Sequence, residues 1–160
     1  IKYNIIHFMV EVSVNIENGE SFKYLNEYIS ILENLQKYFC LENKKVSVDV
    51  SIVNNKKIQK LNKKYRNKNY PTDILSFDFG DKTIFKNLDI YPLGELVISH
   101  EKVEQQAEEF NHSFRREYCY LFAHGLVHLM GFDHEIEEER IQMNAIVDTI
   151  FNPLQITREE

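Results

Sequence analysis

The sequence predicts an α+β fold: a small mixed β-sheet with helices packed on it, and a three-histidine metal site on the penultimate helix and the turn that follows. Three observations lead to this. Apolar and polar residues alternate in two separate stretches, the mark of half-buried strands. Apolar residues recur at three and four in the segments between and after them, the mark of amphipathic helices. The stretch 124-HGLVHLMGFDH-134 carries three histidines at metal-ligand spacing.

Phe8, Val10, Val12, Val14 and Ile16 define the first strand. Over 21–39 the period changes, and Leu25, Tyr28, Ile29, Leu32, Leu35 and Phe39 make a helix. Val46, Val48, Val50 and Ile52 make a second strand. A basic helix follows from Asn55 to Arg66 with Ile58, Leu61 and Tyr65 on its apolar side, and Pro71 ends that region. The runs 74-ILSFDF-79 and 93-LGELVIS-99 read as strands, with a turn at Gly80-Asp81. Ser99 and Ser113 are N-cap residues for two helices, the second running to about Met130. A last helix spans roughly 136–151, closed by Pro153. Strand, helix, strand, helix, then further strands and helices is the order of a layered α+β domain.

The chain's 160 residues suit one domain over 1–160, with no repeat and no Pro/Gly/Ser-rich linker. A net charge of −6 and a pI near 5.6 mean that any nucleic-acid partner needs a local basic patch. Cys40 and Cys119 stand far apart in helical, apolar surroundings; both are expected to be buried and unpaired, which fits a reducing, cytoplasmic setting. No apolar run reaches the roughly 20 residues that span a bilayer, so no membrane is expected.

His124 and His128 are four apart, so both imidazoles leave one helix face, one turn apart. Gly131 can take the left-handed conformation that stops the helix and turns His134 back to the same point. Three imidazoles leave a tetrahedral ion one open position, the pattern of a catalytic zinc site. The zincin-like spacing H-x-x-x-H-x-x-G-x-x-H is that of the metzincin proteases, which carry a glutamate after the first histidine as general base. Here Gly125 stands in its place. A glycine in a helix interior costs about 1 kcal/mol relative to alanine. It therefore marks a need for room, either for a bulky substrate or for the close approach of another helix.

The segment 124-HGLVHLMGFDH-134 resembles the H-G-x-x-H-L-x-G-x-D-H signature of the YbeY family of bacterial rRNA maturation factors, which are metal-dependent endoribonucleases. Two upstream stretches, 64-KYRNKNYPTDILSFDF-79 and 94-GELVIS-99, resemble the family in the same order. Ile74 stands where valine is usual and Glu95 where aspartate is frequent; 80–92 is idiosyncratic, and the first 45 residues match in pattern only. The resemblance implies that His124, His128 and His134 bind one Zn2+ and that Arg66 is the functional arginine of the same cleft. It implies action on single-stranded RNA, at the 3′ end of small-subunit rRNA and in ribosome quality control. It also implies contacts with a small-subunit ribosomal protein and a ribosome-assembly GTPase.

Residues 56–68, KKIQKLNKKYRNK, add seven Lys/Arg and no acid in an acidic protein, the footprint a phosphate backbone needs. Arg66 has the planar fork that suits phosphate, and Tyr65 and Tyr70 flank it as candidate stacking rings. Cleavage by direct hydrolysis and by the ribose 2′-OH are both open, and Glu95, Glu101 and Glu135 are reserve proton acceptors. Asp133 is a candidate either to orient a ligand or to cap the final helix. His7, His100 and His112 lack ligand spacing with one another and read as surface or core residues. Two other readings compete: a zinc-containing assembly factor without catalysis, and a metallopeptidase with a displaced base.

Overall fold

The computed structural model describes residues 1–7, 9–17 and 21–158, with the backbone alone for 4–7. Its elements are β1 (Lys2–His7), β2 (Val10–Ile16), α1 (Leu25–Tyr38), β3 (Lys45–Val53), α2 (Asn55–Arg66), β4 (Ile74–Asp78), β5 (Ile90–Ser99), α3 (His100–Glu109), α4 (Phe114–Leu129) and α5 (Glu137–Phe151). The five strands form one sheet in the order β1-β2-β3-β5-β4. The central pairs β2–β3 and β3–β5 are parallel, and the outer pairs β1–β2 and β4–β5 are antiparallel. This is the mixed α+β sheet expected. β1 is an addition: it pairs with β2 from Lys2↔Asn15 to His7↔Val10. Phe8 and the side chain of His7 lie outside the described residues.

Strand alternation sorts the core. Val10, Val12, Val14, Val46, Val48, Val50 and Ile52 face α1, α4 and α5 and join the main cluster with Leu32, Leu35, Phe122, Leu126, Val147 and Ile150. Fully burying one such side chain contributes about 1.5–3 kcal/mol. A bulge between Ser47 and Asp49 shifts the β3–β5 register. The other face carries a small cluster of Val53, Ile58, Leu75 and Val97, with Leu61 and Phe77 beside it, which seats α2. β4 therefore has a helix on each side. Ile74 packs toward the main cluster and Leu75 and Phe77 toward the α2 cluster.

The caps act where the serines predict. Ser99 Oγ accepts from Lys102 N at 3.3 Å, and Ser113 Oγ from Arg116 N at 3.1 Å. Three helices end in the same left-handed closure. Cys40, Asn111 and Gly131 have φ of 55°, 55° and 96°, and the amide of the residue after each reaches back to the carbonyl of Gln36, Ala107 or Val127. For Cys40 this corrects the expectation of burial. It stands past the end of α1 and is exposed, whereas Cys119 is buried; both are free. Burial pushes the Cys119 thiol far above its ordinary range, so it is inert at neutral pH.

The apolar side of α2 also differs from expectation. Ile58 is fully buried and Leu61 half-buried, but Tyr65 is 53% exposed, with its ring edge-on to Phe77 at 5.3 Å. Asn62 is the second buried residue of the helix, and its Nδ2 donates to Tyr70 O at 2.9 Å. Asn67, left-handed at φ 59°, ends α2, and the Asn67 and Lys68 amides both donate to the Asn62 carbonyl. These bonds fold the 67–70 loop onto the end of the helix that carries Arg66.

Candidate metal centre and cleft

α4 owes its length to a continuous apolar stripe against the sheet and α5. Cys119, Phe122, Ala123, Leu126, Val127 and Leu129 are buried. His124 and His128 are half-buried on another face, and the Gly131 closure returns the chain so that exposed His134 meets them. The ring centroids lie 5.1 Å (124–128), 5.0 Å (128–134) and 5.8 Å (124–134) apart. One nitrogen from each ring can be chosen so that all three lie within 4.8 Å of one another. Three imidazole nitrogens converging with an open side fit a tetrahedral cation that keeps a fourth position for substrate or solvent. Among the described residues this is the group of His, Cys, Asp and Glu ligand atoms that converges closely enough for a metal ion.

The electrostatics suit a cation. Burial, with the neighbouring His128 and His134, lowers the His124 pKa to about 4, partly opposed by Asp73. Burial lowers His128 too, with His134 and then Arg66 adding positive charge nearby. Both rings are therefore neutral at pH 7, the form that ligates. Asp133 Oδ1 accepts from the His134 amide at 2.7 Å, fixing the turn that presents this ring. It does not cap the last helix, whose N-cap residue is Ile136.

The histidines line a cleft of about 870 Å³ together with Arg66, Lys68, Tyr70, Asp73, Gln106, Phe110, His112, Glu117, Tyr120 and Glu135, among others. Arg66 leaves the last turn of α2. Its Nη2 donates to Ser76 O at 2.6 Å, and its guanidinium lies over the Phe77 ring at 5.3 Å. β4 is an edge strand, so the Ser76 carbonyl on its open side holds the arginine by one corner and leaves the rest of the fork facing the cleft. Tyr70 lines the cleft and Tyr65 does not.

Gly125 has a structural explanation. A Cβ there would stand 2.8 Å from Ile74 Cδ1 and from Leu96 Cδ2, and 3.0 Å from Leu96 Cδ1. The neighbour that needs the room is the sheet, at β4 and β5, rather than a substrate or another helix. A glutamate at 125 would meet the same three methyl carbons with its Cβ, so the space beside His124 is taken by the sheet.

Of the reserve acids, Glu101 accepts from the Asn55 amide at 2.9 Å, closing the first turn of α2, and Glu95 accepts from Ser51 Oγ at 3.2 Å; neither lines the cleft. Glu135 does. The sequence reading missed a polar network at the far end of the cleft. Glu117, 4% exposed, accepts from His112 Nε2 at 2.5 Å and from Gln106 Nε2 at 2.8 Å, and Gln106 Nε2 also reaches Asp73 Oδ2 at 3.3 Å. Two signals pointed to it. Glu117 stands seven residues before His124, two helical turns away on nearly the same face. Asp73 lies inside the T-D-I-L-S-F stretch.

A family model described as "Endoribonuclease YbeY" matches residues 9–155. Proteins named "Endoribonuclease YbeY" from Mycoplasmopsis synoviae and Mycoplasmopsis pulmonis are 46% and 45% identical to this chain. The first match covers 93% of this chain and 96% of that protein, and the second 91% and 98%. A solved structure, "Solution structure of TM1509 from Thermotoga maritima", is similar at a TM-score of 0.55 and 26% identity, over 89% of this chain and 91% of that one.

Proposed function

This chain belongs to the YbeY family of endoribonucleases, and from that premise we propose how its own residues cut RNA. It is a metal-dependent hydrolase acting in rRNA processing. In the proposed reading His124, His128 and His134 hold a single Zn2+, and the substrate is single-stranded RNA at the 3′ end of small-subunit rRNA. The observation that carries this reading is the shared cleft: three imidazoles and a guanidinium line one cavity, with no protease base beside the first histidine.

A bound zinc ion supplies Lewis-acid polarisation of a phosphoryl oxygen and a nucleophile at neutral pH. The chain's residues do the rest. The seven basic residues of 56–68 draw the phosphate backbone to this side of an acidic protein. Arg66, tethered through Ser76, loses little side-chain freedom on binding and donates to a non-bridging phosphate oxygen whose charge grows in the transition state. Tyr70, 52% exposed, offers a ring face for an unpaired base. A single strand fits this arrangement because its bases are free to leave the backbone and enter the cleft. The family also motivates the partners proposed here, a small-subunit ribosomal protein and a ribosome-assembly GTPase, and a cytoplasmic setting. No helix among the described residues is long and apolar enough to cross a membrane.

The test compares the wild type with His128→Ala for zinc content and for cleavage of a defined single-stranded RNA. Loss of both together is expected. Retained stoichiometric zinc in the variant removes His128 from the site, and cleavage of peptides but not RNA by the wild type replaces the nuclease with a peptidase. A 2′,3′-cyclic phosphate on the product identifies the ribose 2′-OH as nucleophile.

A further inference from the structure

The end of the cleft away from Arg66 has a different chemistry from the rest. Gln106 Nε2 donates to both Glu117 Oε1 and Asp73 Oδ2. Since both partners are carboxylates, the amide must turn its nitrogen toward them and keep its carbonyl for something else. Asp73 Oδ1 takes the Ile74 amide at 2.7 Å and the Thr72 hydroxyl at 3.4 Å. His112 Nε2 faces Glu117 Oε2, so that nitrogen is spent on the Glu117 carboxylate. The donors of this cluster are thus spent on one another. What remains toward the cavity is the second lone pairs of the Asp73 carboxylate and the Gln106 carbonyl.

Such a surface repels phosphate, which belongs at the Arg66 and Lys68 end. It is no cation cage either: these groups do not converge as the three histidines do. Its complement is a neutral group that brings donors. Glu117 stands seven residues before His124, which is roughly 10 Å along the helix at 1.5 Å per residue. That is too far for the Glu117 carboxylate to take a proton at the metal centre. Asp73 stands nearer, close enough for its charge to act on His124, so a base held there sits beside the metal centre. At the rim, Phe110 is 55% exposed, with its ring 6.0 Å from that of His112, and offers an apolar face of the kind on which bases stack.

We propose that this end of the cleft, built from Asp73, Gln106, Glu117 and His112 with Phe110 at its rim, is a nucleobase subsite that selects guanine next to the scissile phosphate. Guanine alone sets two donors side by side, N1–H and the 2-amino group, and these match a carboxylate two for two. Uracil brings one donor between two carbonyls, which would face acceptors. Adenine and cytosine put an acceptor next to their amino group. Glu117 and His112 act as positioning residues, holding Gln106 and through it Asp73. The inference rests on the proposed binding of single-stranded RNA in this cleft.

Equilibrium binding of the zinc-loaded full chain to short 2′-O-methyl oligouridylates tests it. One oligomer carries a single central guanosine, one an inosine, one an adenosine and one neither, and oligomer integrity is checked after each titration. A well-made bidentate contact to a base discriminates by roughly five- to a hundredfold. The guanosine oligomer is expected to bind at least about fivefold more tightly than the inosine one, which lacks only the 2-amino group. Asp73→Asn keeps an oxygen for the Ile74 amide and puts an amino group where Oδ2 stands. It is expected to bring the guanosine and inosine oligomers to one affinity while thermal melting shows it folded. Equal binding of all four oligomers by the wild type, or a guanosine preference that survives in the variant, overturns the base subsite and leaves the RNA-binding reading standing. Failure of every oligomer to bind overturns both.

Discussion

A methyl group added at Gly125 tests whether the residue that replaces a protease base is a packing device. Alanine removes the glycine penalty and should favour α4 by about 1 kcal/mol. Against that, its Cβ would meet Ile74 Cδ1 and Leu96 Cδ2 at 2.8 Å and Leu96 Cδ1 at 3.0 Å. Ordinary carbon contacts lie near 3.5–4.0 Å, so each terminal methyl must retreat by roughly 0.5 Å or more. They are side-chain ends and can move, but Leu96 is fully buried, so its retreat disturbs the core. Overpacking of this kind costs about 1–3 kcal/mol. The two effects together leave Gly125→Ala between neutral and about 2 kcal/mol less stable. Any part of the clash that α4 relieves by moving, rather than the methyls, lifts the two helical histidines away from β4, and with it from Arg66. Denaturant unfolding of the metal-free chain measures the first effect, and zinc affinity against a competing chelator the second. A variant more stable than the wild type by about the full helix-propensity gain, with zinc affinity intact, would refute this account of Gly125.

The remaining expectations concern charge. Arg66→Lys keeps the charge but not the fork, so RNA cleavage should fall by at least about tenfold while zinc content stays stoichiometric; equal rates would mean that a point charge suffices. The His124 pKa is lowered to about 4 from an unfolded value of 6.5, so the unfolded chain takes up the proton first as pH falls. The metal-free fold should therefore lose up to about 3 kcal/mol between pH 6.5 and 4 and gain nothing from this group above that window. His124→Gln should flatten the slope of stability against pH, and an unchanged slope would assign it to other groups.

Much of this was legible in the sequence because the signals were local. The apolar period of α2 gave about Asn55–Arg66, and Ser99 and Ser113 marked two helix starts. The histidine spacing predicted three convergent rings because a helix turn and one left-handed glycine determine that geometry. β1 escaped because only Phe8 and Met9 stand between it and β2, with no turn-forming residue to announce a hairpin. Cys40 looked buried because its neighbours Phe39 and Leu41 pack on the core while it occupies the turn of a helix closure. The far end of the cleft was hidden for a different reason. Asp73, Gln106 and Glu117 come from a strand entry and two helices, and no spacing rule joins residues that meet only in three dimensions.

The parallel pairing of β3 with β5 closes only after α2, β4 and the 79–89 segment have been threaded between them. Arg66 lies before that closure in the chain and the three histidines lie after it, so the two sides of the cleft come from opposite sides of the longest excursion in the sheet. A ribosome therefore delivers the basic helix and Arg66 first. The three histidines arrive roughly sixty residues later, on a helix seated against β4 and β5, so a product that stops before them lacks the proposed metal site altogether.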